Sequence, residues 1–113
     1  LRLMHEEKVK IVIGLDAGEN FSIPGFAMIE EMKLLKEAGF NNYEVLECAT
    51  VNAAECLDRT GRFGTIESGK NAELVFLKEN PLDNLSTISE PIGVFMGMRY
   101  YDHEVLKGTL SRP

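Results

Sequence analysis

The strongest structural signal lies near the N-terminus, in residues 9–18, which read VKIVIGLDAG. The apolar run from Val9 to Leu15 is almost continuous rather than alternating. Such a run is typical of a strand that is covered on both faces, as in a parallel sheet. The sequence therefore predicts a buried parallel strand that ends at Asp16.

Two helices are predicted after this strand. The first runs from near Pro24 to Ala38 and stops at a glycine, which favours a helix end. Its apolar stripe consists of Met28, Ile29, Met32 and Leu35. The second is predicted to begin with a capping box formed by Asn41 and Glu44, and to continue to about Leu57.

The second half of the chain has a different, β-rich pattern. Strands are predicted over residues 73–77 and 92–96, and residues 99–101 are expected to form the return arm of a hairpin. Residues from Asp102 onward are expected to form a short helix or a tail. A parallel strand needs parallel neighbours joined by crossovers. Because none is visible here, we expect the neighbours of the first strand to lie upstream in a longer protein.

Composition excludes several classes of protein. The chain has 113 residues, 44% of them hydrophobic, and a net charge of -6. The acidic balance argues against nucleic acid or an anionic membrane surface as partner, and no apolar run could span a bilayer. No leader with a basic and then an apolar region is visible, so we expect a cytoplasmic protein. Cys48 and Cys56 would lie roughly 12 Å apart along one helix, too far for a disulfide. We expect both to be buried thiols.

Five short motifs, in order and at consistent spacing, resemble the amidohydrolase superfamily, and in particular its members related to imidazolonepropionase. They occupy residues 13–18, 37–46, 49–54, 64–75 and 80–85. The resemblance implies an α/β fragment: the last strand and trailing helices of a (β/α)8 or TIM barrel over residues 1–58, and strands of a small accessory β-domain over residues 59–113. Two positions depart from the pattern, because Leu15 replaces Thr or Ser and Glu73 replaces Asp.

The resemblance also implies a function. The parent protein would be a metal-dependent hydrolase that cleaves a C–N bond in a cyclic or linear amide substrate. Asp16 would contact a divalent metal, expected to be zinc, and act as general base. Residues at the carboxyl end of a barrel strand face the active site, which suits this role. Two alternatives stay open: Asp16 could be a turn residue after a strand, and the chain could be a non-enzymatic binding or scaffolding module.

The chain lacks the other ligands that such a metal needs. Its two histidines are His5, expected at a helix end or on the surface, and His103, expected in a solvated tail. A strand from Lys8 to Leu15 would be about 25 Å long, which separates His5 from Asp16. We therefore expect no metal in this fragment, no activity alone, and self-association through the unpaired strand.

Two further features have ordinary explanations. Residues 64–70 match the spacing of a phosphate-binding loop, but Asn71 replaces the required Ser or Thr and a strand is expected where a helix should begin. Nucleotide binding is therefore rejected. Tyr100 and Tyr101 are expected to pack against a neighbouring element rather than to bind a ligand.

Overall fold

The computed structural model describes residues 1–15 and 25–110. In chain order, the elements are α1 (Arg2–Glu6), α2 (Phe26–Glu37), α3 (Asn42–Ala49), α4 (Val51–Cys56), β1 (Leu74–Phe76), a 3-10 helix (Leu85–Ser89), β2 (Gly93–Met96), β3 (Arg99–Asp102) and α5 (His103–Leu110). The α/β class expected from the sequence is confirmed. None of the helices within the described ranges is long and apolar enough to cross a membrane.

The predicted strand over residues 9–15 is the main difference between expectation and structure. These residues form no strand. A strand exists only as part of a pair, because its backbone N–H and C=O groups need a neighbouring strand. Within the described part of the chain, the sheet consists of β1, β2 and β3, and residues 9–15 lie against helices instead.

The helix predicted to end at Ala38 is confirmed by α2, which buries Met32 and Leu35 of the predicted apolar stripe on its inner side. The helix is followed by Gly39, whose φ of 106° is in the left-handed region that favours glycine. The chain then turns sharply and buries Phe40 against α2 and α3.

The capping box at the start of α3 is confirmed. The Asn41 side chain accepts a hydrogen bond from the Glu44 backbone N–H at 2.9 Å, and the Glu44 carboxylate accepts one from the Asn41 N–H at 2.8 Å. The single helix predicted to Leu57 is wrong, because the chain breaks at Thr50 between α3 and α4. The Thr50 hydroxyl donates to the Leu46 carbonyl at 2.7 Å, and this side chain competes with the regular backbone pattern.

The three strands form an antiparallel sheet in the order β1-β2-β3. A two-residue loop joins β2 to β3, and Gly97 and Met98 both have positive φ, 58° and 60°. Two consecutive positive φ values are the signature of the hairpin turn whose twist matches the flanking strands. Tyr100 packs edge-on against Phe76, with ring centroids 5.7 Å apart, and covers Gly93 between them. The expected packing role of Tyr100 is therefore confirmed.

The C-terminal residues are more ordered than the predicted tail. The Asp102 carboxylate accepts a hydrogen bond from the Val105 N–H at 2.9 Å at the start of α5. His103 is half-buried, and its Nδ1 lies 2.9 Å from the Pro91 carbonyl oxygen. The interpretation of His103 as a solvated tail residue is therefore wrong.

The core lies between α2 and α3. Its buried members are Met32, Leu35, Phe40, Val45 and Cys48. Ile11 and Ile13 pack against it from the N-terminal segment, and Leu85 and Ile88 pack against it from the 3-10 helix. Contacts thus cross the predicted boundary between residues 58 and 59, and the division into two domains stays a prediction.

Candidate functional site: the segment that precedes Asp16

Residues 9–15 lead directly into Asp16, and they are held against α3 and α4 by two hydrogen bonds. The Ile13 N–H donates to the Cys48 carbonyl at 3.2 Å. The Asn52 side-chain amide donates to the Ile11 carbonyl at 2.8 Å. Asp16 itself lies outside the described residues. The structure therefore shows how the approach to this residue is supported, and Asp16 stays a predicted site residue.

Side chains on the same segment add two kinds of contact. Ile11 and Ile13 pack against the core, as expected for alternating positions of an extended chain. Lys10, between them, forms an ion pair with Glu55 of α4. Both partners are exposed, and such surface pairs add little to stability. Apolar burial and the two backbone contacts therefore hold the segment.

His5 is the nearest histidine to this segment in the chain, and it is engaged in a structural cluster. Its ring stacks on Phe40 at a centroid distance of 4.1 Å, and its Nε2 lies 3.2 Å from a Glu44 carboxylate oxygen. Since a carboxylate oxygen accepts, His5 donates from Nε2. The Asn41 N–H, followed by His5, holds the pKa of the Glu44 carboxyl below its usual range. The helix-end location expected for His5 is confirmed, and its ring ties α1 to α3.

A groove of 330 Å³ lies between the N-terminal residues and helices α3 and α4. Two side-chain pairs join its sides: the His5–Glu44 hydrogen bond and the Lys10–Glu55 ion pair. The groove is therefore a seam between packed elements whose polar groups already pair with each other.

The two cysteines differ in environment. Cys48 is buried in the core, and burial raises the pKa of its thiol. Cys56, at the end of α4, is exposed, so the expectation that both are buried is wrong for this residue. Both are free thiols, as expected. Because the chain breaks at Thr50, Cys48 and Cys56 lie on two different helices, and their spacing along one helix could not predict their burial.

The loop that imitates a phosphate-binding motif is closed by its own side chains. Lys70 is half-buried and donates to the Thr65 hydroxyl, and it pairs with Glu67 at 3.5 Å. The hydrogen bond from Thr65, followed by the charge of Lys70, lowers the pKa of the Glu67 carboxyl. No helix starts after Lys70, and β1 is the next element. The structure therefore supports the rejection of nucleotide binding.

The described side chains offer few groupings of possible metal ligands. In residues 1–15 and 25–110, no three or more His, Cys, Asp or Glu side chains lie close enough together to hold a metal ion. These residues therefore do not fit a metal centre on their own. No step of a reaction can be assigned to a metal among them.

One residue of the site was missed by the sequence reasoning. Asn52 lies in the motif of residues 49–54, and the sequence alone assigns it no role. Its contact with Ile11 joins residues 41 positions apart. A polar amide between Val51 and Ala53, on a helix that packs against the chain, was the signal that could have suggested a specific partner.

Comparison with known proteins identifies the family. Residues 1–108 match the model of the amidohydrolase family. This match covers nearly the whole chain, and the protein therefore belongs to the amidohydrolase family.

The most informative relatives are much longer than this chain. It is 31% identical over 87 residues to the imidazolonepropionase of Caldanaerobacter subterraneus subsp. tengcongensis, and 33% identical over 88 residues to that of Treponema denticola. Each match covers 73% of this chain and 20% of the relative. The crystal structure of a Xaa-Pro dipeptidase with methionine bound in its active site matches with a TM-score of 0.79 and 31% identity, over 89% of this chain and 24% of that one. The chain thus spans about a fifth to a quarter of these relatives.

Proposed function

We propose that this chain is the C-terminal part of a metal-dependent amidohydrolase that cleaves a C–N bond in a cyclic or linear amide, and that it is inactive alone. The observation that carries the proposal is the match to the amidohydrolase family along residues 1–108. The chain corresponds to only 20% of the imidazolonepropionases that it resembles. In this proposal residues 1–58 complete a barrel, and residues 59–113 belong to an accessory β-domain.

Asp16 is the residue to which we assign chemistry. A carboxylate near an attacking water can take its proton and then deliver a proton to the leaving nitrogen, which is general base and then general acid catalysis. The support for this assignment is the position of Asp16 directly after a segment that two hydrogen bonds and two partly buried isoleucines hold in place. Catalytic groups need such support, because small displacements reduce the rate strongly.

A divalent metal, which we expect to be zinc, would supply a water of lowered pKa. Asp16 is the one residue of this chain that we propose as its ligand. The described side chains do not form a metal centre, so we propose that other parts of a longer protein supply the remaining ligands. The chain alone is therefore expected to bind no metal stoichiometrically.

The names of the relatives support a proposal for the substrate class. Two are imidazolonepropionases and one is a Xaa-Pro dipeptidase, and we propose a substrate with either a cyclic amide or a dipeptide bond. We further propose that the protein acts in the cytoplasm.

The first experiment is to read the open reading frame upstream of the Leu1 codon and to look for a His-x-His motif after a predicted strand. The longer protein is then purified without a His tag, assayed for zinc, and tested on cyclic imides, imidazolones and Xaa-Pro dipeptides. We expect the motif, bound metal, and hydrolysis of at least one of these amides, while residues 1–113 alone hydrolyse none.

Two outcomes would contradict the proposal. An open reading frame that starts at or close to Leu1 would mean that the chain is complete, and would favour a binding or scaffolding module instead. Turnover by residues 1–113 alone, at the rate of the longer protein, would mean that the site does not need the missing part.

A further inference from the structure

The turn between β2 and β3 carries a residue that the turn geometry does not favour. Met98 has a φ of 60°, in the left-handed region where long side chains are rarely found. Glycine, asparagine and aspartate are the usual residues at such a turn position, because they adopt this conformation with little strain. The requirements of the turn therefore do not explain why a methionine stands here, and a residue in a strained conformation is a reason to look for a function.

The side chain of Met98 is also open to water. It is 91% exposed, more than any other large apolar side chain in the part of the chain that the structure describes. An apolar side chain in such a position gains almost nothing from burial. A thioether is reactive as well as apolar, however, and oxidants convert it to a sulfoxide. Exposure and reactivity together therefore indicate a site of oxidation.

A second exposed methionine lies on the same hairpin. Met96, the last residue of β2, is 53% exposed and pairs with Arg99, the first residue of β3. Directly opposite residues of an antiparallel pair share one face of the sheet, with Cβ atoms about 4.5–5.5 Å apart. The guanidinium of Arg99 carries only donors, and a sulfoxide oxygen accepts hydrogen bonds. A sulfoxide formed on Met96 would therefore have a donor directly across the strand pair.

We propose that the β2–β3 hairpin is a methionine oxidation site, at which Met98 reacts first and Met96 second with a small two-electron oxidant such as hydrogen peroxide. The sulfur lone pair attacks one peroxide oxygen, and the O–O bond breaks as the S–O bond forms. The proton of the transferred oxygen passes to the leaving hydroxide, which becomes water. The thioether is thus oxidised by two electrons to the sulfoxide, and the peroxide is reduced.

The other three methionines serve as internal references. Met32 is 5% exposed in the core, and Met28 is partly buried beside it. Met4 on α1 is 47% exposed, close to the value for Met96. Oxidation makes a methionine side chain polar, which disrupts a packed core, whereas a sulfoxide at the hairpin tip stays in water. The fold is therefore expected to tolerate oxidation at Met98 but not at Met32.

The experiment treats residues 1–113 with hydrogen peroxide and follows each methionine by peptide mapping and mass spectrometry, which also separates oxidation of the exposed Cys56 thiol. Met98 should be oxidised at least about tenfold faster than Met32, which reacts only when the core opens. Met98→Leu should abolish the fastest methionine oxidation, whereas Met4→Leu, the matched exposed control, should leave it unchanged. The unfolding midpoint of the chain oxidised at Met98 alone should equal that of the untreated chain.

Three outcomes would overturn the proposal. The first is oxidation of Met4 or Met32 as fast as Met98 in residues 1–113. The second is a fall in the unfolding midpoint after oxidation of Met98 alone. The third is protection of Met98 when the longer protein is treated in the same way, which would mean that another part of that protein covers the hairpin tip. The proposed function does not depend on any of these outcomes.

Discussion

The core that supports residues 9–15 can be tested at two adjacent leucines of α2. Leu35 is 3% exposed and belongs to the cluster on which Ile11 and Ile13 pack, whereas Leu34 is 47% exposed. Substitution by alanine changes helix propensity equally at both positions, so the comparison isolates burial.

The expected magnitudes follow from these exposures. A fully buried leucine side chain contributes about 1.5–3 kcal/mol, and a cavity left behind adds to the loss. Leu35→Ala should therefore lower the free energy of unfolding by about 3 kcal/mol. Leu34→Ala removes a side chain that is already about half exposed to water and leaves no closed cavity. It should therefore lower the free energy of unfolding by about 1 kcal/mol.

The assay is urea unfolding of residues 1–113, followed by circular dichroism, with the midpoint and slope fitted for each variant. Leu35→Met, which keeps the volume, is the conservative control and should cost less than about 1.5 kcal/mol. The usual error of such comparisons is about 0.5 kcal/mol. If Leu34→Ala and Leu35→Ala lower the free energy of unfolding by amounts that agree within that error, the proposed location of the core is refuted.

Three further predictions concern other parts of the molecule. The capping box predicts that Asn41→Ala lowers the free energy of unfolding by about 1 kcal/mol. Because the folded-state pKa of the Glu44 carboxyl is depressed, the stability that Glu44 contributes is complete at neutral pH and is lost as the pH falls below the ordinary value of 4.5. Unfolding curves of the unaltered protein and of Glu44→Gln, recorded at pH 7 and pH 3.5, measure this loss. Gly93→Ala should destabilise the sheet because its new methyl group meets the Tyr100 ring, and the loss should be smaller when Tyr100 is also replaced by alanine, as a double-mutant cycle measures. The isolated chain is expected to self-associate through apolar side chains that stay exposed, such as Leu57 at 70% and Leu3 at 68%. Sedimentation equilibrium over a wide concentration range tests this, since a monomer at the highest concentration would count against it.

Local features of the fold were predictable because their causes lie within a few residues. Helix α2 follows from the spacing of its apolar side chains, and the start of α3 follows from Asn41 and Glu44, which reach each other across one helical turn. The hairpin between β2 and β3 was also predictable, since an apolar run precedes Gly97 and a pair of tyrosines follows it.

Features that depend on distant partners were not predictable. Residues 9–15 have the composition of a strand, but pairing requires a neighbour that the described chain does not offer. The residues around the break at Thr50 lie against Gly64, which is distant in sequence, and an added Cβ there would be 2.9 Å from the Cβ of Ala54. His103 contacts the Pro91 carbonyl only because the hairpin brings them together.

The candidate site likewise has one residue that the sequence predicted and one that it did not. Asp16 was predicted from a motif, and its role stays a prediction because it lies outside the described residues. Asn52 was in a motif but had no assigned role, since its partner, Ile11, is 41 positions away and no periodic pattern links them. A resemblance of motifs can thus indicate which residue carries chemistry, while the contacts that position it require the structure.

The most direct test of the account is the turnover of the longer protein after Asp16→Ala, with Asp83→Ala as a control that removes an exposed carboxylate elsewhere in the chain. If Asp16 is the catalytic carboxylate, kcat/KM for the best amide substrate should fall by roughly 10²- to 10⁴-fold, the range for general acid–base groups. The unfolding midpoint should stay close to that of the unaltered protein, and Asp83→Ala should retain full turnover. Near-normal turnover by a folded Asp16→Ala variant would contradict the account and would mean that Asp16 serves only as a turn residue.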